Sequence, residues 1–127
     1  MEYLLDASAL LAWLNGERGA QHVEPILDRS AISTINLSEV LQKSINRGAN
    51  VEGLRVDLEA LGITFIPFEV QDAENAADMW IETRVLGLSL GDRACLATAG
   101  RLDIPAVTAD GAWTSIPNPP TEIQTIR

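Results

Sequence analysis

The chain has 127 residues, of which 46% are hydrophobic, and its formal net charge is -9. This size and apolar content suffice for one globular domain, residues 1–127, with a single core. The single cysteine excludes an internal disulfide framework, and the acidic balance disfavours broad electrostatic binding of nucleic acid, which depends on Lys and Arg.

The first half of the chain alternates β-favouring runs with helical patterns. A strand at 2–5 precedes a buried helix at 7–14, and a second helical stretch covers 19–28. A β-favouring run at 30–35 leads into a helix at 36–47. The order strand, helix, strand, helix begins here.

The second half continues the same alternation. The predicted elements are a helix at 51–61, a strand at 63–66, helices at 71–86 and 89–102, and strands at 104–108 and 122–126. Strands that alternate with helices indicate βαβ units and a mostly parallel sheet covered on both faces. The predicted fold class is α/β.

The start of the chain and its apolar runs predict where the protein works. The sequence begins without the basic start and long apolar run of a signal peptide. Charged or polar residues interrupt every apolar run before it reaches the roughly 18 residues of a membrane span. We therefore expect a soluble protein of the cytoplasm, with no membrane partner.

Four acidic residues stand near predicted strand ends or helix starts. Asp6, Glu39 and Asp110 each follow a predicted strand by a few residues, at the edge where open α/β sheets bind ligands. Asp92 opens a helix that follows another helix, so its position at that edge is an inference. We expect Glu39 in the first turn of its helix.

Helix capping is the alternative explanation for each acid. Asp6 and Asp110 fit N-caps, which accept hydrogen bonds from free amides at a helix start. Glu39 and Asp92 each stand three residues after an Asn or Ser, which fits a capping box. Taken singly, the four acids leave capping and catalysis both open.

A cluster of carboxylates needs a further explanation. Two carboxylates about 4 Å apart repel each other by about 4 kcal/mol at an effective dielectric constant near 20. A divalent cation with oxygen ligands removes that repulsion, and it reverses the local sign of the field. The matching chemistry is displacement at phosphorus by a metal-activated water.

Four segments around these acids resemble one nuclease family. The segments are LLDASA at 4–9, INLSEV at 35–40, LSLGDRACLA at 88–97 and VTADGAW at 107–113. Their order, spacing and apolar flanks are similar to the four acidic motifs of the PIN-domain nucleases, in particular the VapC-like toxins of toxin-antitoxin pairs.

This resemblance implies a Rossmann-like three-layer PIN fold and a metal site. The implied catalytic and metal-binding residues are Asp6, Glu39, Asp92 and Asp110, with Mg2+ or Mn2+ as cofactor. The implied activity is endonucleolytic cleavage of RNA, with transfer RNA as a candidate substrate. The implied partners are a cognate antitoxin and a second copy of the chain.

Supporting residues are predicted around the acids. Ser8 and Thr108 match hydroxyl positions that support the acids or a metal-bound water in the family, and local backbone hydrogen bonding is their alternative role. Arg84, Arg93 and Arg101 are the candidates for RNA contact, with solvated helix faces as their alternative.

A non-catalytic acidic α/β module that binds Mg2+ is the competing function. Receiver-like domains also carry acids at strand ends, but they carry a lysine after a late strand. In this chain no lysine follows Lys43. The sequence therefore favours the ribonuclease.

Overall fold

Five short strands form one sheet in the order β3-β2-β1-β4-β5 in the computed structural model, which describes residues 1–127. Every neighbouring pair is parallel. The strands are β1 (Tyr3–Leu5), β2 (Ser30–Ser33), β3 (Thr64–Ile66), β4 (Ala106–Thr108) and β5 (Ile123–Thr125). The α/β prediction is confirmed, and the sheet is wholly parallel.

Seven α-helices cover the sheet. They are α1 (Ala7–Leu14), α2 (Ala20–Val23), α3 (Thr34–Asn46), α4 (Leu54–Ala60), α5 (Val70–Asp78), α6 (Trp80–Thr83) and α7 (Leu90–Leu102). Short 3₁₀ helices occupy Glu24–Arg29, Arg84–Leu86 and Gly111–Ser115. None of the helices is long and apolar enough to cross a lipid bilayer.

Two apolar cores lie on opposite faces of the sheet because successive strand residues point to opposite sides. Leu5 packs in a core with α1, α3 and α4, whereas Leu4 packs with α7 and the fully buried Trp113. Both leucines are fully buried. This central strand, β1, therefore fixes the position of the residue that follows it.

Three predicted boundaries were wrong, each for a local reason. The strand predicted at 30–35 ends at Ser33, because the Ser33 hydroxyl accepts the Ile35 N–H at 3.2 Å and caps α3. Glu39 consequently lies in the second turn of α3. The helix predicted at 19–28 becomes 3₁₀ where Pro25 lacks an N–H.

The long helix predicted at 71–86 is divided into three pieces. Regular helix α5 ends at Asp78, and α6 and a 3₁₀ turn follow. The Thr83 hydroxyl donates to the Met79 carbonyl at 2.8 Å at this break. Such a side-chain bond competes with the regular backbone ladder of a helix.

Candidate metal-binding active site

Asp6 follows β1 directly and caps the N-terminus of α1. It is 3% exposed, and its Oδ1 accepts the Ala9 N–H at 2.8 Å and the Ser8 hydroxyl at 2.7 Å. Its Oδ2 accepts the Thr108 hydroxyl at 2.6 Å. Asp6 therefore caps a helix and also lies buried at the carboxyl end of the central strand.

Ser8 and Thr108 connect Asp6 to the loop after β4. The Ser8 Oγ accepts the Ala109 N–H at 2.9 Å, and the Thr108 Oγ1 accepts the Asp110 N–H at 3.1 Å. Each hydroxyl therefore receives one backbone hydrogen and donates its own to the Asp6 carboxylate. This arrangement fixes both oxygens of Asp6.

The surroundings of Asp6 disfavour its ionised form. Burial raises the pKa of its carboxyl to about 6, and this effect outweighs the lowering by hydrogen bonds from Thr108, the Ala9 N–H and Ser8. The nearby charge of Asp92 raises the pKa further. No arginine, lysine or histidine forms an ion pair with Asp6.

Glu39 points from α3 toward the start of α7. Its Oε1 accepts the Asn36 Nδ2 at 2.7 Å, and the same Nδ2 donates to the Gly91 carbonyl at 3.0 Å. Asn36 is 1% exposed, and its Oδ1 has no hydrogen-bond partner. A Cβ on Gly91 would lie 2.6 Å from Oε2 of Glu39. Gly91 therefore leaves the space that this carboxylate occupies.

Asp92 forms the predicted capping box with Ser89 at the start of α7. Its Oδ2 accepts the Ser89 N–H at 2.8 Å, and its own N–H donates to the Ser89 hydroxyl at 3.2 Å. These bonds use only one carboxylate oxygen. Asp92 thus serves as a cap while its charge acts on Asp6.

Cys95 lies on α7, close to three of the acids. The thiol is fully buried one turn beyond Gly91, and burial raises its pKa well above the ordinary value. The charges of Asp6, Asp92 and Glu39 raise it further. Glu39 lies against Gly91, the residue before Asp92, and Asp6 follows β1, so the three carboxylates lie at the same edge of the sheet.

Asp110 lies on the loop beside this group. Its Oδ1 accepts the Ala112 N–H at 2.9 Å and caps the 3₁₀ helix Gly111–Ser115, and the residue is exposed. Its backbone is joined to the group through Thr108. The structure therefore places Asp6, Glu39 and Asp92 at one edge of the sheet, and Asp110 follows β4 at that edge with an exposed side chain.

A model of the PIN domain family matches residues 3–118. The chain belongs to the PIN-domain family. PIN domains are nucleases, so the family indicates hydrolysis of nucleic acid. No curated protein sequence matches the chain.

Solved structures share this PIN fold along nearly the whole chain. The DNA-bound VapBC complex from Salmonella typhimurium has a TM-score of 0.74 at 18% identity, over 100% of this chain and 99% of that one. A toxin-antitoxin complex from Klebsiella pneumoniae gives 0.71 at 26% identity, over 95% and 99%. VapBC-5 from Mycobacterium tuberculosis, of the VapBC family of toxin-antitoxin systems, gives 0.60 at 17% identity, over 98% and 99%.

The acids of this PIN domain are not a ready-made metal cluster. No group of three or more His, Cys, Asp or Glu side chains is close enough together to hold an ion. However, Asp6 and Asp92 are close enough for one charge to act on the other. Magnesium is usually held by one or two carboxylates together with waters and substrate phosphate. Asp6 and Asp92 are therefore the two carboxylates that would fit such an ion.

The three arginines predicted as RNA contacts lie on the α5–α7 side of the PIN domain. Arg101 is held by Asp72, with Nε 2.7 Å from Oδ1. Arg93 donates to a carbonyl of α5 at 2.8 Å. The Arg84 guanidinium lies 5.0 Å from the centre of the Trp80 ring. Arg101 and Arg93 are thus occupied by the protein, whereas Arg84 is exposed.

Sequence reasoning missed Asn36 and Gly91. Asn36 was interpreted only as a helix cap, although an Asn three residues before an acid can also orient that acid on one helix face. A glycine in the first turn of a helix usually has a packing reason. These two signals, read together, point to the seat of Glu39.

Proposed function

We propose that this PIN domain is a Mg2+- or Mn2+-dependent endoribonuclease and the toxin of a toxin-antitoxin pair. The proposal is supported above all by the position of three carboxylates at the carboxyl edge of the sheet, with Asp6 at the end of β1 and Glu39 against Gly91, the residue before Asp92. Asp6 is buried there without a cationic partner. A protein gains no stability from such an arrangement, but a metal site requires it.

In the proposed site Asp6, Asp92 and Asp110 would hold the ion through their carboxylates. When bound, the ion supplies Lewis-acid stabilisation of charge on the phosphate and lowers the pKa of a coordinated water. Ser8 and Thr108 hold the Asp6 carboxylate by hydrogen bonds. They keep its orientation fixed during the reaction.

Glu39 is the proposed proton acceptor. Its carboxylate is oriented by Asn36 and seated on Gly91. A water oxygen bonds to phosphorus while the bond from phosphorus to a ribose oxygen breaks. Glu39 takes the water proton, and the leaving oxygen takes a proton from solvent.

The proposed partners are RNA, an antitoxin and a second copy of the chain. Support for the antitoxin comes from the VapBC and toxin-antitoxin complexes that share the fold. We also propose a cytoplasmic location and transfer RNA as a substrate. Arg84 remains a proposed RNA contact because it is exposed. No observation favours a receiver-like module, because the PIN model spans nearly the whole chain.

The test is RNA cleavage by variants that lose one charge and keep the cap. Asn caps a helix about as well as Asp, and Gln has the size of Glu39 and retains an oxygen that accepts the Asn36 hydrogen bond. We expect D6N, E39Q, D92N and D110N to keep the wild-type circular dichroism spectrum. We expect all four variants to lose Mn2+-dependent cleavage of total transfer RNA, by at least about 100-fold for D6N. Mutation of a residue that only hydrogen-bonds to a metal ligand already lowers activity by about 10- to 100-fold.

Asp28→Asn is the matched control, because Asp28 is exposed and precedes β2 at the opposite edge of the sheet. It should cleave like the wild type, and chelator should stop both. Undiminished cleavage by any two of the four site variants would contradict the proposed site. Sequencing the ends of the cleaved RNA then identifies the substrate.

A further inference from the structure

A basic pocket adjoins the acidic site. Its volume is about 290 Å³, and it opens between α1, the end of α3 and the C-terminal residue. The side chains that line it include Ser8, Glu17, Lys43, Asn46, Arg47 and Arg127. Three of the nine Lys and Arg side chains of this acidic chain therefore meet in one place.

The two arginines of the pocket are held in place by one acid. Glu17 lies 3.4 Å from the Arg47 guanidinium and 3.6 Å from that of Arg127. Lys43 is exposed and forms no ion pair. The side chains of the pocket therefore keep an excess of two positive charges, whereas the chain as a whole carries -9.

The pocket and the acidic site share their structural elements. Ser8, which lines the pocket, donates its hydroxyl to Asp6 at 2.7 Å. Glu39 and Lys43 on α3 and Arg47 at its C-cap follow each other at intervals of four residues, so they lie along one helix face. The rise along the helix is about 1.5 Å per residue, so Lys43 and Arg47 lie roughly 6 and 12 Å from Glu39 along the helix axis.

We propose that this pocket binds backbone phosphates of the RNA strand next to the bond that is cleaved, an inference that rests on the proposed ribonuclease function. An extended strand with one phosphate at Asp6 has its neighbouring phosphates within reach of the same face of α3. Arginine forks and a lysine are the side chains that bind phosphate oxygens. On a chain with a net charge of -9, this pocket supplies positive charge beside the acidic site.

The test is the salt dependence of RNA binding in the absence of metal. A fluorescent single-stranded RNA oligonucleotide is titrated with protein in chelator at several salt concentrations, so that no cleavage occurs. We expect the double variant K43Q/R47Q to bind about 10-fold more weakly at low salt. The slope of log K against log salt should become shallower by about 0.7 for each phosphate that the variant no longer neutralises.

Two matched variants control for the removal of positive charge. Arg29 pairs with Glu2 and Arg55 with Glu59, and both arginines are exposed and lie outside the pocket. R29Q and R55Q should retain the wild-type affinity and slope. With Mn2+ present, K43Q/R47Q should raise KM and leave kcat nearly unchanged, because its residues hold the strand and do not touch the reacting atoms.

The outcomes separate the two proposals. If the wild type cleaves RNA but K43Q/R47Q keeps its affinity, salt slope and KM, the pocket assignment is overturned and the nuclease stands. If the variant loses binding of an oligoglutamate peptide and keeps RNA binding, the pocket serves an acidic protein partner and the assignment is likewise overturned. Absence of cleavage by the wild type overturns the nuclease itself.

Discussion

Asp6 and Asp72 are both buried aspartates of this domain, and their surroundings differ in one respect. Asp72, on α5, is fully buried and faces the Arg101 guanidinium of α7 at 2.7 and 3.0 Å. Burial opposes its ionisation, but bonds from Arg101 and the Glu69 N–H and the Arg101 charge outweigh it and lower the pKa. Asp6 accepts three hydrogen bonds but meets no cation, and its pKa is raised.

The difference separates a carboxylate whose charge is neutralised within the chain from one whose charge is not. The Asp72–Arg101 pair joins α5 to α7 and is complete within the chain. Asp6 is left with an uncompensated charge, and Asp92 adds a second negative charge beside it. A buried carboxylate without a partner is costly unless a cation arrives. Asp72 is therefore neutralised within the chain, whereas Asp6 is the carboxylate that we propose as a metal ligand.

The largest expected effect comes from breaking the complete pair. Asp72→Asn leaves the Arg101 side chain, which is 23% exposed, without its counter-charge. Removing one partner of a buried pair costs about 3 to 5 kcal/mol, and the partial exposure of Arg101 places this variant at about 3 kcal/mol. Urea unfolding measures the difference in stability. A stability equal to that of the wild type would show that the pair does not anchor α5 to α7.

The pH dependence of stability should have opposite signs at the two aspartates. The folded-state pKa of Asp6 is raised from 3.8 to about 6. The protonated carboxyl of Asp6 therefore makes its full contribution to the free energy of unfolding below about pH 4. This contribution, about 2 to 3 kcal/mol, is lost as the pH rises through about 6. The pKa of Asp72 is lowered, so its ionised carboxylate stabilises the protein above about pH 4. This contribution to stability is lost in acid as the carboxylate is protonated.

Urea unfolding in chelator checks this sign. The free energy of unfolding of D6N minus that of the wild type should increase from about pH 4 to about pH 7. That of D72N minus the wild type should decrease as the pH rises toward about 4 and should change little above it. Other carboxylates cancel in each difference. A pH-independent difference for D6N would mean that burial does not hold the Asp6 proton.

A substitution at Gly91, which contacts the Glu39 carboxylate, should have a smaller effect, and this effect should be on activity alone. Gly91→Ala places a methyl group against the Glu39 carboxylate, 2.6 Å from Oε2, and forces that side chain to move. We expect kcat to fall about 10-fold, the equivalent of about 1.4 kcal/mol, while stability changes little. Gly100→Ala, on the same helix with its nearest contact at Pro120, is the control. Equal kcat values for G91A and the wild type would exclude Glu39 from proton transfer.

The smallest effect is expected at the thiol beneath the acids. Cys95→Ala removes one buried atom and should cost about 1 kcal/mol of stability. Mn2+-dependent cleavage should remain at the wild-type rate, because the thiol is neutral and takes no part in the site. A large drop in cleavage would show that Cys95 acts in the site.

The sequence predicted the frame of the domain better than its contacts. Hydrophobic periodicity and turn residues were enough for the order of strands and helices, and Asp6 followed directly from the end of β1. The start of α3 was predicted too late because Thr34 and Ile35 favour strands. In the structure the Ser33 side chain caps the helix, so both residues lie in its first turn.

Contacts between distant residues were outside the reach of local patterns. Arg101 gave no sign that it would be held by Asp72, because the two meet only when α7 packs on α5. For the same reason the meeting of Lys43, Arg47 and Arg127 in one pocket was not predicted. Periodicity places a residue on a face of its own helix, but tertiary packing selects its neighbour.

Calorimetric titration with Mn2+ tests the central claim most directly, since it needs neither substrate nor turnover. The wild type and D72N should bind the ion with similar affinity, provided that D72N remains folded, and D6N should bind it at least about 10-fold more weakly. If D6N binds Mn2+ as tightly as the wild type, the buried carboxylate at the end of β1 is not the metal ligand, and the account is contradicted.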